Sequence, residues 1–532
     1  MNQRLAGGGW RVVFIALLLV VAALAFAQSY ERWLDPIIDT GRDLYIPEQI
    51  AHGAKLYRDI RYQYPPLTPY VLAVVTSVIG HSLAAYTAIG VLQSIAIAVA
   101  LWFIGRRTAG TLAGFVAALF FVALSFCGAS TWGANFLFPY SYGATIGIAL
   151  IVIALAFVVH ERPAPALAAL FFASWCKVEY AIAAGIVIVI LAIARRFSVR
   201  QVAMFILAEL IAIAAALAYF PSMRSNIFAP SLTEGASAHR FFEVVSGVAD
   251  WRPYLVAAIV GIAAIAAIAW LLRVVRPAIA VPIVIAISIA LTYYTHAFFR
   301  AWGLLQFAGL VEGFRRRNMT LVTLSAFSIA TTLRIPLSVS PVWYGFALIV
   351  PTYALIAYVL FAMLPGRSMW WLPLIALLCG QELYDQHRLW AVKEFPIDSP
   401  RGRFFDANPD RARVLNQFIQ HVHGGTLAVL PEGIALDYLT ERKTTLSFHT
   451  FTPVETAAPQ VESAIIAEFA SRPPDLVAIV SRDVTEYGYR GFGVDYDRSL
   501  SAYLTQHYRL IRQWSQPRFQ MILLARSDNM SR

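Results

Sequence analysis

Asp39 and Arg42 stand three residues apart where a helical segment begins, a spacing that puts a carboxylate and a guanidinium on one helix face. A fixed carboxylate can take the proton from a hydroxyl, and a guanidinium can hold an anion in its fork. The same two groups can also be a plain ion pair. The residues after them are dense in polar side chains: Asp43, His52, Lys55, Arg58, Asp59 and Arg61, with Tyr45, Tyr57, Tyr62 and Tyr64 between them. Lysines and arginines beside a bilayer often only reach toward lipid head groups. Pro65-Pro66-Leu67 then breaks the chain, because proline suits the first turn of a new helix.

Such a segment needs elements to hold it, and composition says which kind. Of 532 residues, 59% are hydrophobic and 14% charged, against about 25% charged in a soluble domain. The mean hydropathy is +0.63. The net charge of +11 points to topology rather than nucleic acid. Arginines cluster between apolar runs, at Arg106-Arg107, Arg195-Arg196, Arg273 and Arg276, and Arg315 to Arg317, as cytoplasmic loops do. Cys127, Cys176 and Cys379 lie in or beside apolar segments without metal-ligand spacing, so they read as small buried residues.

With about 20 apolar residues per span, the chain reads as about thirteen transmembrane helices. The first is 11–28, an uncleaved anchor although Ala25-Phe26-Ala27 resembles a signal-peptidase site. Residues 29–80 form an outer first loop with a polar helix near 43–54 and an interfacial one at 66–79. The later spans are 82–104, 109–126, 141–159, 164–177, 180–195, 201–220, 253–272, 277–295, 298–314, 319–333, 344–364 and 369–384. This register puts every arginine cluster on one side. The transmembrane module therefore covers 1–384, with the N-terminus cytoplasmic. The segment 385–532 reads as an extracytoplasmic α/β domain, with strand-like runs at 426, 475 and 519 and helices at 460–470 and 498–507. The expected location is the inner (cytoplasmic) membrane, multi-pass, with the C-terminal domain periplasmic.

Asp39-x-x-Arg42, a helix, Gly53-x-x-Leu56-Tyr57-Arg58-Asp59 and the Pro-Pro-Leu turn together resemble the GT-C glycosyltransferases. They are most similar to the protein O-mannosyltransferase-like and lipid A aminoarabinose transferase-like branch. NFLFPYSYG (135–143), LPEGIALDYL (430–439) and EYGYRGFGVDY (486–496) resemble bacterial members of it. The resemblance implies an enzyme that transfers a hexosyl or pentosyl group from a polyprenyl-phosphate-linked donor, with inversion. The acceptor would be an envelope glycan, lipid or protein on the outer face. It implies Asp39 as general base and Arg42 as a donor-phosphate ligand. Two departures stand out. Many relatives carry a lysine before the Pro-Pro turn, where this chain has Tyr64. Lys55, Arg58 or Arg61 can replace that cation, or the Tyr64 hydroxyl can serve. Many relatives also carry an acid directly after the aspartate, where this chain has Thr40; no metal or other cofactor is therefore expected.

Lys177 and Glu179 fall at an outer hairpin between two spans, where ionisable groups are functional candidates. Being two apart on a helix, they are expected to need separate partners. His239-Arg240, His296 and Arg334 lie in or beside outer loops and are candidate lining residues. Glu432 reads as a carboxylate placed at a helix N-terminus by the dipole, and the C-terminal domain as accessory. A polyprenyl-lipid transporter or flippase, and a non-enzymatic envelope-assembly protein, are the alternative readings. The first would string polar residues across several spans, and the second leaves Asp39 and Arg42 without a role.

Overall fold

A computed structural model of the chain describes residues 8–38, 40–129, 135–227, 252–276, 302–333, 346–364 and 368–527, with a few positions between 279 and 286. Asp39, His239, Arg240, His296 and Arg334 lie outside the described residues, as does most of the span expected at 277–295.

The first half is a helical array. In chain order it runs α1 (Gly8–Ser29), α2 (Thr40–Ala51), α3 (Leu67–Ile79), α4 (Leu83–Ala109), α5 (Thr111–Phe121), α6 (Tyr142–Val159), α7 (Pro163–Ser174), α8 (Val178–Ile193) and α9 (Val199–Tyr219). Further helices cover Arg252–Val274, Trp302–Arg315, Met319–Thr332, Val350–Tyr358 and Leu372–Ala391. The described helices α1, α4, α6 and α9 are long and apolar enough to cross a membrane, and α3, α5, α7 and α8 are shorter apolar helices. Local chemistry sets several of their ends. Ser82 caps α4 by accepting from the Ala85 amide, Ser198 and Gln201 form a capping box on α9, and Pro163 begins α7.

α5 continues as a π turn, Val122–Phe126, which leaves carbonyls without helical donors. Side chains of Leu372–Ala391 supply them: Gln386 Nε2 donates to Ala123 O and Trp390 Nε1 to Cys127 O, both at 2.9 Å. That helix runs on past the boundary expected at 385, and the first strand begins at Phe395.

The C-terminal segment contains a hairpin, β1 (Phe395–Ser399) with β2 (Gly402–Asp406), and a four-stranded sheet. The sheet order is β3 (Leu427–Leu430), β4 (Leu476–Val480), β6 (Phe519–Arg526), β5 (Tyr508–Gln516). β3 and β4 are parallel and the other pairings antiparallel. Helices Pro409–His421, Pro459–Ser471 and Arg498–His507 pack on it.

The first loop is built into this C-terminal unit. Leu34, Ile37, Leu44, Tyr45, Ile46, Leu56 and Tyr62 share one hydrophobic core with Leu415, Phe418, Val429, Leu436 and Leu439. Where the chain leaves α1, Arg411 bonds Asp406 at 2.7 Å and Asp35 at 3.3 Å, and the Phe405 amide donates to Glu31 O. Loop and C-terminal unit therefore position each other.

Candidate active site

α2 lies between α4 and the C-terminal unit. At Gly41 any Cβ would run into the backbone of Ala435, so only glycine permits the approach. Tyr86 donates its hydroxyl proton to Leu44 O, and Tyr45 Oη accepts from the Thr444 amide at 2.9 Å. Glu48 pairs with Arg401 from the β1–β2 turn; burial pushes the Glu48 carboxyl up and Arg401 opposes this.

This packing aims Arg42 and Asp43. Asp43 divides its oxygens between the Tyr142 amide at 2.6 Å, in the first turn of α6, and Arg42 Nε at 3.3 Å. A carboxylate at a helix N-terminus is favoured by the dipole. The Arg42 guanidinium lies 5.0 Å from the centroid of the Tyr64 ring. Tyr64 is held in turn, its carbonyl accepting from the Tyr57 hydroxyl at 2.6 Å. The Pro-Pro-Leu turn beyond it is tied to the break between α7 and α8, Leu67 N donating to Trp175 O.

From that break Lys177 reaches the same ring, its Nζ 4.7 Å from the Tyr64 centroid. Lys177 is almost wholly buried and lies 3.5 Å from Glu179 Oε1. The two residues meet, contrary to the sequence expectation, because Lys177 caps α8 in an extended conformation (φ −153°, ψ 149°) instead of lying on the helix. Glu209 of α9 fixes the break from the other side, accepting from Ser174 Oγ at 2.6 Å and Trp175 Nε1 at 3.1 Å.

Of the residues singled out from sequence, Arg42, Tyr64, Lys177 and Glu179 thus come together. Arg61 lies nearby, stacked 4.2 Å from the Phe448 ring centroid. Lys55 and Arg58 do not join them. Arg58 is largely exposed and pairs with Asp59 at 2.8 Å, and the exposed Lys55 binds the same carboxylate through its backbone amide. The second cation beside Tyr64 is Lys177, which comes from outside the loop.

Arg42, Arg61 and Tyr64 line one side of a cleft of about 190 Å³, and the C-terminal unit supplies the other with Phe448, His449, Glu455 and Gln460. A larger groove of about 780 Å³ lies on the far side of α2, lined by Glu48, His52, Glu441, Arg442 and Lys443 among others. His449 lines both. Burial and the neighbouring Arg42 push the His449 imidazole down to about 3, with Arg61 adding to the shift and the Ser447 carbonyl opposing it; the ring is neutral at working pH. The C-terminal unit therefore contributes lining residues to the cleft. Glu432 lies between β3 and the helix Ile434–Leu439, as expected, and is bound to Arg482 at 2.8 Å. Among the described residues no group of three or more His, Cys, Asp or Glu is placed to hold a metal ion.

Sequence reading missed His449 and Glu209. Nothing local distinguishes His449 within its polar loop, whereas an acid in the apolar run 201–220 was a visible signal.

No protein-family model and no curated protein sequence matches the chain. Among solved structures it is similar to the Archaeoglobus fulgidus oligosaccharyltransferase tethered to an acceptor peptide containing the NVT sequon. That likeness is at 12% identity over 98% of this chain and 75% of that one, with a TM-score of 0.51. It is also similar to ArnT from Cupriavidus metallidurans bound to undecaprenyl phosphate, at 15% identity over 98% of both chains, with a TM-score of 0.49. At such identities the likeness is one of fold. With apolar helices in its first part and a polar first loop packed into a C-terminal mixed sheet, the chain has the membrane-protein fold of the archaeal oligosaccharyltransferase.

Proposed function

We propose that the chain is an integral-membrane glycosyltransferase moving a sugar from a polyprenyl-phosphate-linked donor to a hydroxyl acceptor on the outer face of the cytoplasmic membrane. The observation that carries this reading is the convergence of Arg42 and Lys177 on the ring of Tyr64, at the edge of a cleft and beside a turn that dips between apolar helices. Burying an ammonium is costly unless it is paired, and Glu179 and Asp43 stand beside Lys177 and Arg42. A donor phosphate would add charge-assisted bonds to two cations already held in place. The oligosaccharyltransferase fold supports the same class of reaction.

The acceptor oxygen attacks the anomeric carbon on the face opposite the phosphate, and the bond from that carbon to the phosphate oxygen breaks. The hydroxyl proton passes to the Asp39 carboxylate. The negative charge left on the lipid phosphate is stabilised by Arg42 and Lys177. One carboxylate and two cations supply the required groups, and the reaction inverts the anomeric centre.

The test is equilibrium binding of undecaprenyl phosphate to the purified full-length protein. Arg42→Ala and Lys177→Ala are each expected to weaken binding by about 10–100-fold, the worth of one charge-assisted bond. Unchanged affinity in both folded variants would refute this phosphate site.

A further inference from the structure

The groove on the far side of α2 is lined by none of Arg42, Tyr64 and Lys177. It is about four times the volume of the cleft beside Arg42 and opens between α2 and the C-terminal unit. Its lining carries both signs of charge, and much of that charge is already spent. Glu48 and Glu441 both face Arg401, and Asp59 is bound by Arg58. Two lining groups differ: Arg442 Nε and His449 Nδ1 are buried and lack a hydrogen-bond partner. A buried donor or acceptor left unmade is destabilising, and such groups in natural proteins commonly await a ligand or water. Arg442 Nε must donate. The neutral His449 ring has one nitrogen that accepts. A ligand suited to both donates and accepts hydrogen bonds.

We propose that this groove binds the acceptor, that the acceptor is a glycan, and that His449 holds the attacking hydroxyl where the groove meets the donor cleft. The proposal rests on the donor-phosphate reading above. Sugar hydroxyls both donate and accept, which suits a lining where Glu48, Glu441 and Asp59 are already paired. An acyl chain would find no continuous apolar wall. A peptide would need a ladder partner or side-chain pockets, and the segment that runs beside β3 already bonds it, Leu427 N donating to Lys443 O. His449 is the only residue, among those described, that lines both cavities. A neutral imidazole there accepts a hydrogen bond from the hydroxyl and orients it, leaving the proton to Asp39.

The test places a photo-reactive amino acid at Lys443 in the full-length protein, in cells of its own organism, with the same substitution at exposed Arg509 on strand β5 as a control. The cross-linked species at position 443 is expected to contain carbohydrate, shown by loss on periodate treatment. His449→Leu should lower its yield about fivefold, the worth of one hydrogen bond. His449→Gln, which keeps an acceptor, should hold the yield within about twofold. Undecaprenyl phosphate affinity should be unchanged in both. A species containing only protein or only lipid, or a yield no higher than at position 509, would overturn the proposal. So would a loss of undecaprenyl phosphate affinity in His449→Leu, which would assign the ring to the donor site. Failure of the donor reading shows separately, as unchanged undecaprenyl phosphate affinity in Arg42→Ala and Lys177→Ala.

Discussion

Lys177 Nζ lies 4.7 Å from the centroid of the Tyr64 ring, although 113 positions separate the two residues in the chain (177 − 64). The Arg42 guanidinium stands 5.0 Å from the same centroid. A ring that holds two cations does so through its quadrupole, worth about 1–2 kcal/mol per desolvated contact. Tyr64→Phe is therefore expected to keep undecaprenyl phosphate affinity within about twofold, and Tyr64→Leu to lower it about 5–30-fold. If Tyr64→Phe binds as poorly as Tyr64→Leu, the hydroxyl and not the ring face holds the phosphate.

Glu209 acts on Lys177 through the α7–α8 break. Glu209→Leu leaves Ser174 Oγ and Trp175 Nε1 without this acceptor, at roughly 0.6 kcal/mol for each intramembrane bond. Abundance should stay near normal while undecaprenyl phosphate affinity falls about 3–10-fold. Glu209→Gln, which keeps an acceptor oxygen, should lie between. Wild-type affinity in both variants would mean that the Leu67–Trp175 bond fixes the break by itself.

Gly41 tests how the first loop and the C-terminal unit hold each other. An added methyl meets the backbone nitrogen and Cα of Ala435, so the cost is overpacking, typically 1–3 kcal/mol. Gly41→Ala should lower the yield of folded protein and speed proteolytic release of the C-terminal unit. Ala435→Gly should not restore it, because the obstacle is backbone. Rescue by Ala435→Gly would show that the two elements move apart easily.

Asp437 gives a pH signature. It is fully buried beside α2, neither carboxylate oxygen has a hydrogen-bond partner, and burial holds its carboxyl well above the usual range. With a raised folded value, its favourable state, the protonated one, is fully present below the unfolded carboxylate range near about 4. That contribution is lost as pH rises toward the folded value. Asp437→Asn is uncharged at every pH, so it should raise the thermal midpoint at pH 8 by about 2–4 °C per kcal/mol relieved. The gain should vanish at about pH 4. A gain of equal size at both pH values would mean that packing, not ionisation, is responsible.

The helices were legible because apolar runs and arginine clusters obey membrane physics. Expected spans at 82–104, 141–159 and 201–220 correspond to α4, α6 and α9 within a few residues. The strand-like runs at 426, 475 and 519 correspond to β3, β4 and β6, while β5 escaped notice because YRLIRQWSQ is rich in polar residues, lacks regular alternation and is mostly exposed. Arg42 and Tyr64 were visible as a local cluster. The pairing of Lys177 with Tyr64, and the entry of His449 into the cleft, depend on contacts between distant segments that no local pattern encodes. Lys177 and Glu179 were misread because i,i+2 geometry was taken as helical, whereas the cap residue of α8 is extended.

Asp39 carries the central claim, and the most direct measurement is the initial rate of glycan product formation in cells lacking the gene and complemented with Asp39→Asn. Product would be followed by mass spectrometry of the envelope, with protein abundance and undecaprenyl phosphate affinity measured on the same variant. Asparagine keeps the shape and cannot accept the hydroxyl proton, so the rate should fall by about 10²–10⁴-fold while abundance and affinity stay near wild type. A near-normal rate in well-folded Asp39→Asn would contradict the account, because the acceptor would then lose its proton without the proposed base.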